Sequence, residues 1–140
     1  MQDICAREIA HESGFYTKRP VALVRGEGAR VWDAAGREYI DCIGGHGVAI
    51  VGHANPEVAE AIAAQARKLL VCPGSFCNDV RAELLGELVR IAPAGIARAF
   101  LCNSGAEAVE AALKIARLLT GRKRLVAAMR GFHGRTMGAL

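Results

Sequence analysis

Six residues, Asn103-Ser104-Gly105-Ala106-Glu107-Ala108, constrain this chain more than any others, because they end an apolar run and open a helix. Ser104 and Glu107 stand at capping-box spacing, a pattern that satisfies the backbone at a helix start. Behind them Ala108, Val109, Ala112, Leu113, Ala116 and Leu119 recur at helical period, so a helix is predicted over 104–120. Its first N–H groups have no partner inside the helix, and Gly105 and Ala106 carry almost no side chain to keep an anion away. These residues describe a seat for a phosphorylated ligand. Soon after comes Gly131-Phe132-His133-Gly134-Arg135-Thr136, which puts an aromatic ring on a glycine-flanked loop. The loop follows a run from Arg124 to Met129 that reads as a strand, and the carboxyl ends of strands are where open parallel sheets bind ligands.

The rest of the chain reads in two styles. Val21 to Arg25, Ala29 to Asp33 and Arg37 to Asp41 are short β-prone runs separated by Gly26-Glu27-Gly28 and Asp33-Ala34-Ala35-Gly36, both turn sequences. They predict a small antiparallel meander. After a glycine-rich stretch, Asn55-Pro56 supplies an N-cap and a first-turn proline, and Val58, Ile62, Ala66, Leu69 and Leu70 share a face. That helix is predicted to end near Cys72-Pro73-Gly74. Asn78 or Asp79 caps the next, which runs to a stop at Pro93 to Gly95. Then strand, helix and strand are expected at 97–102, 104–120 and 124–129, a βαβ-like unit opening a mostly parallel sheet.

Composition removes several classes of function. Of 140 residues, 52% are hydrophobic, enough for a core, and the net charge is +4. The basic residues are scattered, and their one dense run, Arg122-Lys123-Arg124, follows a helix end where cations favour the dipole; no nucleic-acid partner is expected. Five cysteines form an odd set without paired metal spacing, which fits reduced thiols and a cytoplasmic location. Cys42, His46 and His53 do not make the tight ligand pairs of structural zinc, so no metal site is expected. No apolar stretch approaches the ~20 residues of a membrane span. A dinucleotide site fails too. Neither Gly26-x-Gly28 nor Gly45-x-Gly47 gains its third glycine or opens a helix after a strand.

The run FLCNSGAEAVEAALKIAR followed by GFHGRT, together with RGEGARVWDAAGREYIDCIGGHGVAIVGHANPEV, resembles the class III, or omega, aminotransferases. Among them it is most similar to the acetylornithine enzymes and to those acting on lysine held by an amino-group carrier protein. The resemblance implies the fold type I α/β architecture with pyridoxal 5′-phosphate as cofactor. Residues 1–52 would form an amino-terminal segment with the meander, and 53–140 the beginning of the large cofactor-binding domain. It also implies that the Schiff-base lysine lies beyond Leu140. The chain accordingly reads as an amino-terminal fragment, inactive alone and holding no catalytic residue itself.

Roles follow residue by residue. Ser104, Gly105 and Ala106 would hold the cofactor phosphate, with Ser104 capping the helix, touching phosphate, or both. Phe132 would stack on the pyridine ring, and His133 would pack beside the cofactor or polarise a substrate group. Arg135 would grip the substrate's α-carboxylate, which suits a planar guanidinium able to make two parallel hydrogen bonds. His46, in Gly44-Gly45-His46-Gly47-Val48, would face the substrate channel. The implied reaction moves a terminal amino group from an acetylornithine-like or carrier-bound lysine substrate to 2-oxoglutarate, in a homodimer when full length. Ornithine or 4-aminobutyrate aminotransferase, glutamate-semialdehyde aminomutase, and a non-catalytic binding or dimerisation fragment remain as alternatives.

Overall fold

Sequential short strands joined by tight turns pair with their neighbours, and the first part of the chain does this. In the computed structural model, which describes residues 4–140, strands β1 (Leu23–Glu27), β2 (Arg30–Asp33) and β3 (Glu38–Ile40) form one antiparallel sheet in the order β1-β2-β3. Gly26 faces Val31 and Trp32 faces Glu38, with a register irregularity between Leu23 and Arg25. The predicted meander is therefore present, its first strand displaced two residues toward the carboxyl end.

Asp33 organises the second turn. Its carboxylate accepts from the backbone N–H groups of Ala35 and Arg37 at 2.9 Å each, from Arg37 Nε at 2.7 Å and from the Tyr39 hydroxyl at 2.9 Å. An aspartate that opens a turn and bonds the backbone two residues on is the reason this residue type favours such positions. Asp33 and Val31 are both buried. Burial pushes the Asp33 carboxyl upward, but the bonds from Arg37, Tyr39 and Ala35 outweigh it and hold the pKa at about 2.

Each longer helix starts where its cap predicts. Helix α1 (Ile4–His11) has no counterpart in the sequence reading, and α2 (Gly44–Gly47) is a single turn described below. In α3 (Pro56–Lys68) Asn55 Oδ1 accepts from the Val58 N–H, and in α4 (Asp79–Ile91) Asn78 rather than Asp79 is the cap, accepting from Arg81 N–H at 3.0 Å. Helix α3 stops four residues before Cys72 because Leu69 turns extended, with Gln65 Nε2 donating to its carbonyl at 2.8 Å. Helix α5 (Gly105–Thr120) closes at Gly121.

One expectation is corrected. Neither 97–102 nor 124–129 joins a β-ladder among the described residues. A parallel strand exists only when paired to a neighbour's backbone, and among the described residues neither segment is so paired. Their apolar side chains consequently stand open, with Val126 93% and Met129 97% exposed.

The chain divides into two compact units, Met1–Cys72 and Pro73–Leu140. Within the first the sheet is the packed element; within the second, α4 and α5 do not pack on one another. Among the described residues no helix is long and apolar enough to cross a membrane.

Candidate functional site

The helix start behaves as its sequence requires. Ser104 has extended backbone angles and its Oγ accepts from the Glu107 N–H at 3.2 Å, while Glu107 Oε2 accepts from the Asn103 N–H at 2.7 Å. The capping box is thus closed, reaching one residue further back than the usual pattern. Ser104 is occupied as a cap. The N–H groups of Gly105 and Ala106 find no acceptor among the described residues, as expected for the first turn of a helix. A Cβ built on Gly105 meets nothing within 4 Å. No neighbour among the described residues therefore demands the missing side chain; it leaves room in front of two unpaired donors at the positive end of a 16-residue helix.

The second motif lies directly on this seat. Gly134 has φ +141°, and a Cβ there would lie 2.7 Å from Ala106 Cβ and 2.9 Å from Ala139 Cβ. Only glycine permits both that backbone angle and that approach. Phe132, two residues earlier, is 78% exposed and has its ring available for stacking. His133 folds back over its own loop, Cε1 standing 2.9 Å from where a Gly131 Cβ would be. Arg135 is exposed and follows Gly134 immediately. Ser104, Gly105, Ala106, Phe132, His133 and Arg135 all belong to the second unit, whereas His46 belongs to the first.

His46 sits in an unusual turn. Gly44, Gly45, His46 and Gly47 all have positive φ, from +56° to +82°, so α2 is one turn of left-handed helix closed by Gly47 N–H to Ile43 O at 2.9 Å and Val48 N–H to Gly44 O at 2.8 Å. Glycine adopts this without cost, but for histidine the conformation costs roughly 1–2 kcal/mol. Asp41 holds the entry. It accepts from Ile43 N–H at 2.9 Å and Gly44 N–H at 2.8 Å, and its other oxygen meets His53 Nε2 at 2.6 Å. The His53 side chain, then the Gly44 and Ile43 amides, keep the Asp41 pKa at about 2. His53 is in turn bonded through its backbone to Gly28, at 2.9 and 2.8 Å. A groove lined by Tyr39, Asp41, Gly45 and His53 runs beside this arrangement. Among the described residues no three metal-ligating side chains converge.

Residues 13–140 match the family model for class-III aminotransferases. The chain belongs to this family. It is 55% identical over 135 residues to the LysW-aminoadipate semialdehyde transaminase of Deinococcus radiodurans, a match covering 96% of this chain and 32% of that protein. It is 46% identical over 137 residues to the acetylornithine aminotransferase of Methanopyrus kandleri, covering 96% and 35%. Among solved structures, a taurine:2-oxoglutarate aminotransferase from Bifidobacterium kashiwanohense, in complex with PLP and glutamate, superposes with a TM-score of 0.87 at 28% identity, covering 94% of this chain and 30% of that one. This class-III aminotransferase chain thus spans about a third of the length of the curated relatives it matches. Its small antiparallel sheet and following helices are the amino-terminal part of the fold type I architecture.

Three features of this aminotransferase chain escape sequence reading. The Asp33 network had a local signal, an aspartate opening a turn, but its Tyr39 bond needed the register of β3. The Asp41–His53 pair had none, since twelve residues separate the two. Glu110 had none either: its Oε1 accepts from Thr136 Oγ1 at 2.7 Å and from Gly138 N–H at 2.8 Å, across 26 and 28 residues.

Proposed function

We propose that this chain supplies the phosphate seat and the substrate-carboxylate clamp of a pyridoxal-phosphate aminotransferase acting on acetylornithine-like or carrier-bound lysine substrates, with 2-oxoglutarate as acceptor. One observation carries the reading: Gly134 against Ala106, which places the GFHGRT loop on a helix start whose N–H groups are unpaired. The residues present fit the group, because a Cβ-free approach at Gly105 and two donors at a helix N-terminus suit a phosphate dianion.

Bound there, the cofactor would supply the electron sink for amino transfer. The chain's own residues would do the holding. Gly105 and Ala106 would donate backbone hydrogen bonds to phosphate oxygens, with Ser104 keeping the helix start in shape. Phe132 would cover the ring, and offset stacking contributes on the order of 1 kcal/mol beyond burial. His133 would pack beside the cofactor or polarise a substrate group. Arg135 would take the α-carboxylate through a two-bond fork, and His46 would be a side chain facing the substrate channel. The similarity to enzymes named for LysW-aminoadipate semialdehyde and acetylornithine favours this substrate class and, with it, an amino-group carrier protein as a partner. In this reading residues 53–140 begin the cofactor-binding domain of a cytoplasmic homodimer.

Gly105→Val tests the seat in the complete polypeptide that carries this chain. A Cβ at this position meets nothing within 4 Å among the described residues, and a β-branched side chain fills space in front of the donors, so cofactor retained after dialysis, read by its absorbance, should fall well below that of a Val109→Ala control. Equal retention in the two variants would refute the placement.

A further inference from the structure

Glu110 stands one and a half turns into α5, half-buried, and its carboxylate is committed to a segment far along the chain. One oxygen takes both the Thr136 hydroxyl at 2.7 Å and the Gly138 N–H at 2.8 Å. Gly138 is shaped around this contact, because a Cβ there would fall 2.5 Å from Glu110 Oε2 and 2.8 Å from Oε1. Thr136 O also accepts from the N–H groups of Ala139 and Leu140, at 3.1 and 3.0 Å, so the segment is a closed turn; Ala139 is among the few buried residues. Arg135 therefore lies between two fixed neighbours. Gly134 is seated on Ala106 before it, and Thr136 is tied to Glu110 after it, with both anchors on the same helix. Bonds from Thr136 and then Gly138, with Lys114 and Arg117 nearby, hold the Glu110 carboxyl below its ordinary range and keep it an acceptor.

We infer that Glu110 is a positioning residue for substrate recognition: by latching Thr136 and Gly138 to α5 it fixes the backbone on the far side of Arg135 and aims the guanidinium at a substrate carboxylate. This rests on the reading of Arg135 as the clamp. Glu110 touches neither substrate nor cofactor in this role. It acts through geometry, and displacements of about 1 Å at a recognition group can cost roughly a hundredfold.

The test uses the complete polypeptide loaded with pyridoxal phosphate, and glutarate as a non-reacting dicarboxylate probe titrated by calorimetry. Glu110→Ala should weaken glutarate binding about tenfold or more and speed hydrogen exchange at the Gly138 amide, with cofactor absorbance after dialysis unchanged. Glu110→Gln keeps an oxygen that can accept both bonds and should retain most of the affinity. Gly138→Ala pushes the carboxylate out of position without removing it, and the atoms it meets are the end of a flexible side chain, so this variant should fold and reproduce the Glu110→Ala loss. Glutarate affinity within twofold of wild type in Gly138→Ala and in folded Glu110→Ala overturns the latch. So does equal loss of cofactor and glutarate, which would mark a general structural role. Arg135→Ala in the same titration separates the latch from the clamp. If it weakens glutarate while the latch variants do not, the latch alone fails; if it has no effect, the clamp reading fails and the latch with it.

Discussion

At the scale of single residues, the site depends as much on what is missing from a side chain as on what is present. Gly105 leaves space in front of two donors, and Gly134 lets a loop rest on Ala106. Beside Gly134 stand the residues to which the proposal gives the chemistry, Phe132 and Arg135. Arg135→Lys keeps the charge but loses the planar fork, so transfer from an α-carboxylate donor should fall roughly tenfold to a hundredfold in the complete polypeptide. An ω-amine donor lacking that carboxylate should be little affected. Single-turnover absorbance of the first half-reaction is the measurement, since the proposed acceptor, 2-oxoglutarate, would use a carboxylate too and would blur steady-state rates. Equal slowing of both donors would assign Arg135 to the loop or the cofactor instead. His46 raises a different question. A non-glycine residue in a left-handed turn stores strain, and such strain gathers at functional positions.

At the scale of elements, the meander is held by a carboxylate as much as by its ladder. Asp33 ties the β2–β3 turn to Arg37 and Tyr39, and its pKa of about 2 lies below the ordinary 3.8. With a folded value below the unfolded one, the stabilisation is complete above about pH 5 and fades as pH falls through 4 toward 2. Asp41, likewise at about 2, works in the same window. The sole tryptophan, Trp32 on β2, lies 4.2 Å under the Arg25 guanidinium and reports on the sheet. Its fluorescence should hold steady down to about pH 5 and change between there and pH 2, and Asp33→Asn should remove part of that acid transition. An identical titration in wild type and variant would show that Asp33 contributes nothing to the sheet. The helices make the opposite case, because their starts are local. Asn55, Asn78 and Ser104 each cap the helix that follows, and the spacing of each cap is visible in the sequence.

At the scale of the whole molecule, the chain carries more apolar surface than it covers. Leu118, Leu119, Val126 and Met129 are 83%, 79%, 93% and 97% exposed, and an open apolar groove beside α5 is lined by Phe100, Leu101, Ala111 and Ile115. Exposed apolar surface on this scale marks contact surfaces or association. The 140-residue chain by itself should therefore bind the dye ANS strongly at neutral pH, and dye fluorescence no higher than that of a compact folded control would contradict the exposure seen here. The same feature explains which expectations failed. Caps, turns and the helical period act over three or four residues, so the sequence alone determined the starts of α3, α4 and α5, the meander, and the family through its motifs. The segments 97–102 and 124–129 are β-prone by sequence, but a parallel strand exists only beside another strand, and that neighbour is a matter of tertiary structure. Tertiary structure alone likewise decided that Gly134 meets Ala106, that Asp41 meets His53 and that Glu110 holds Thr136 and Gly138. Each joins residues separated by twelve or more positions, where no local propensity acts and only the packed chain brings donor to acceptor.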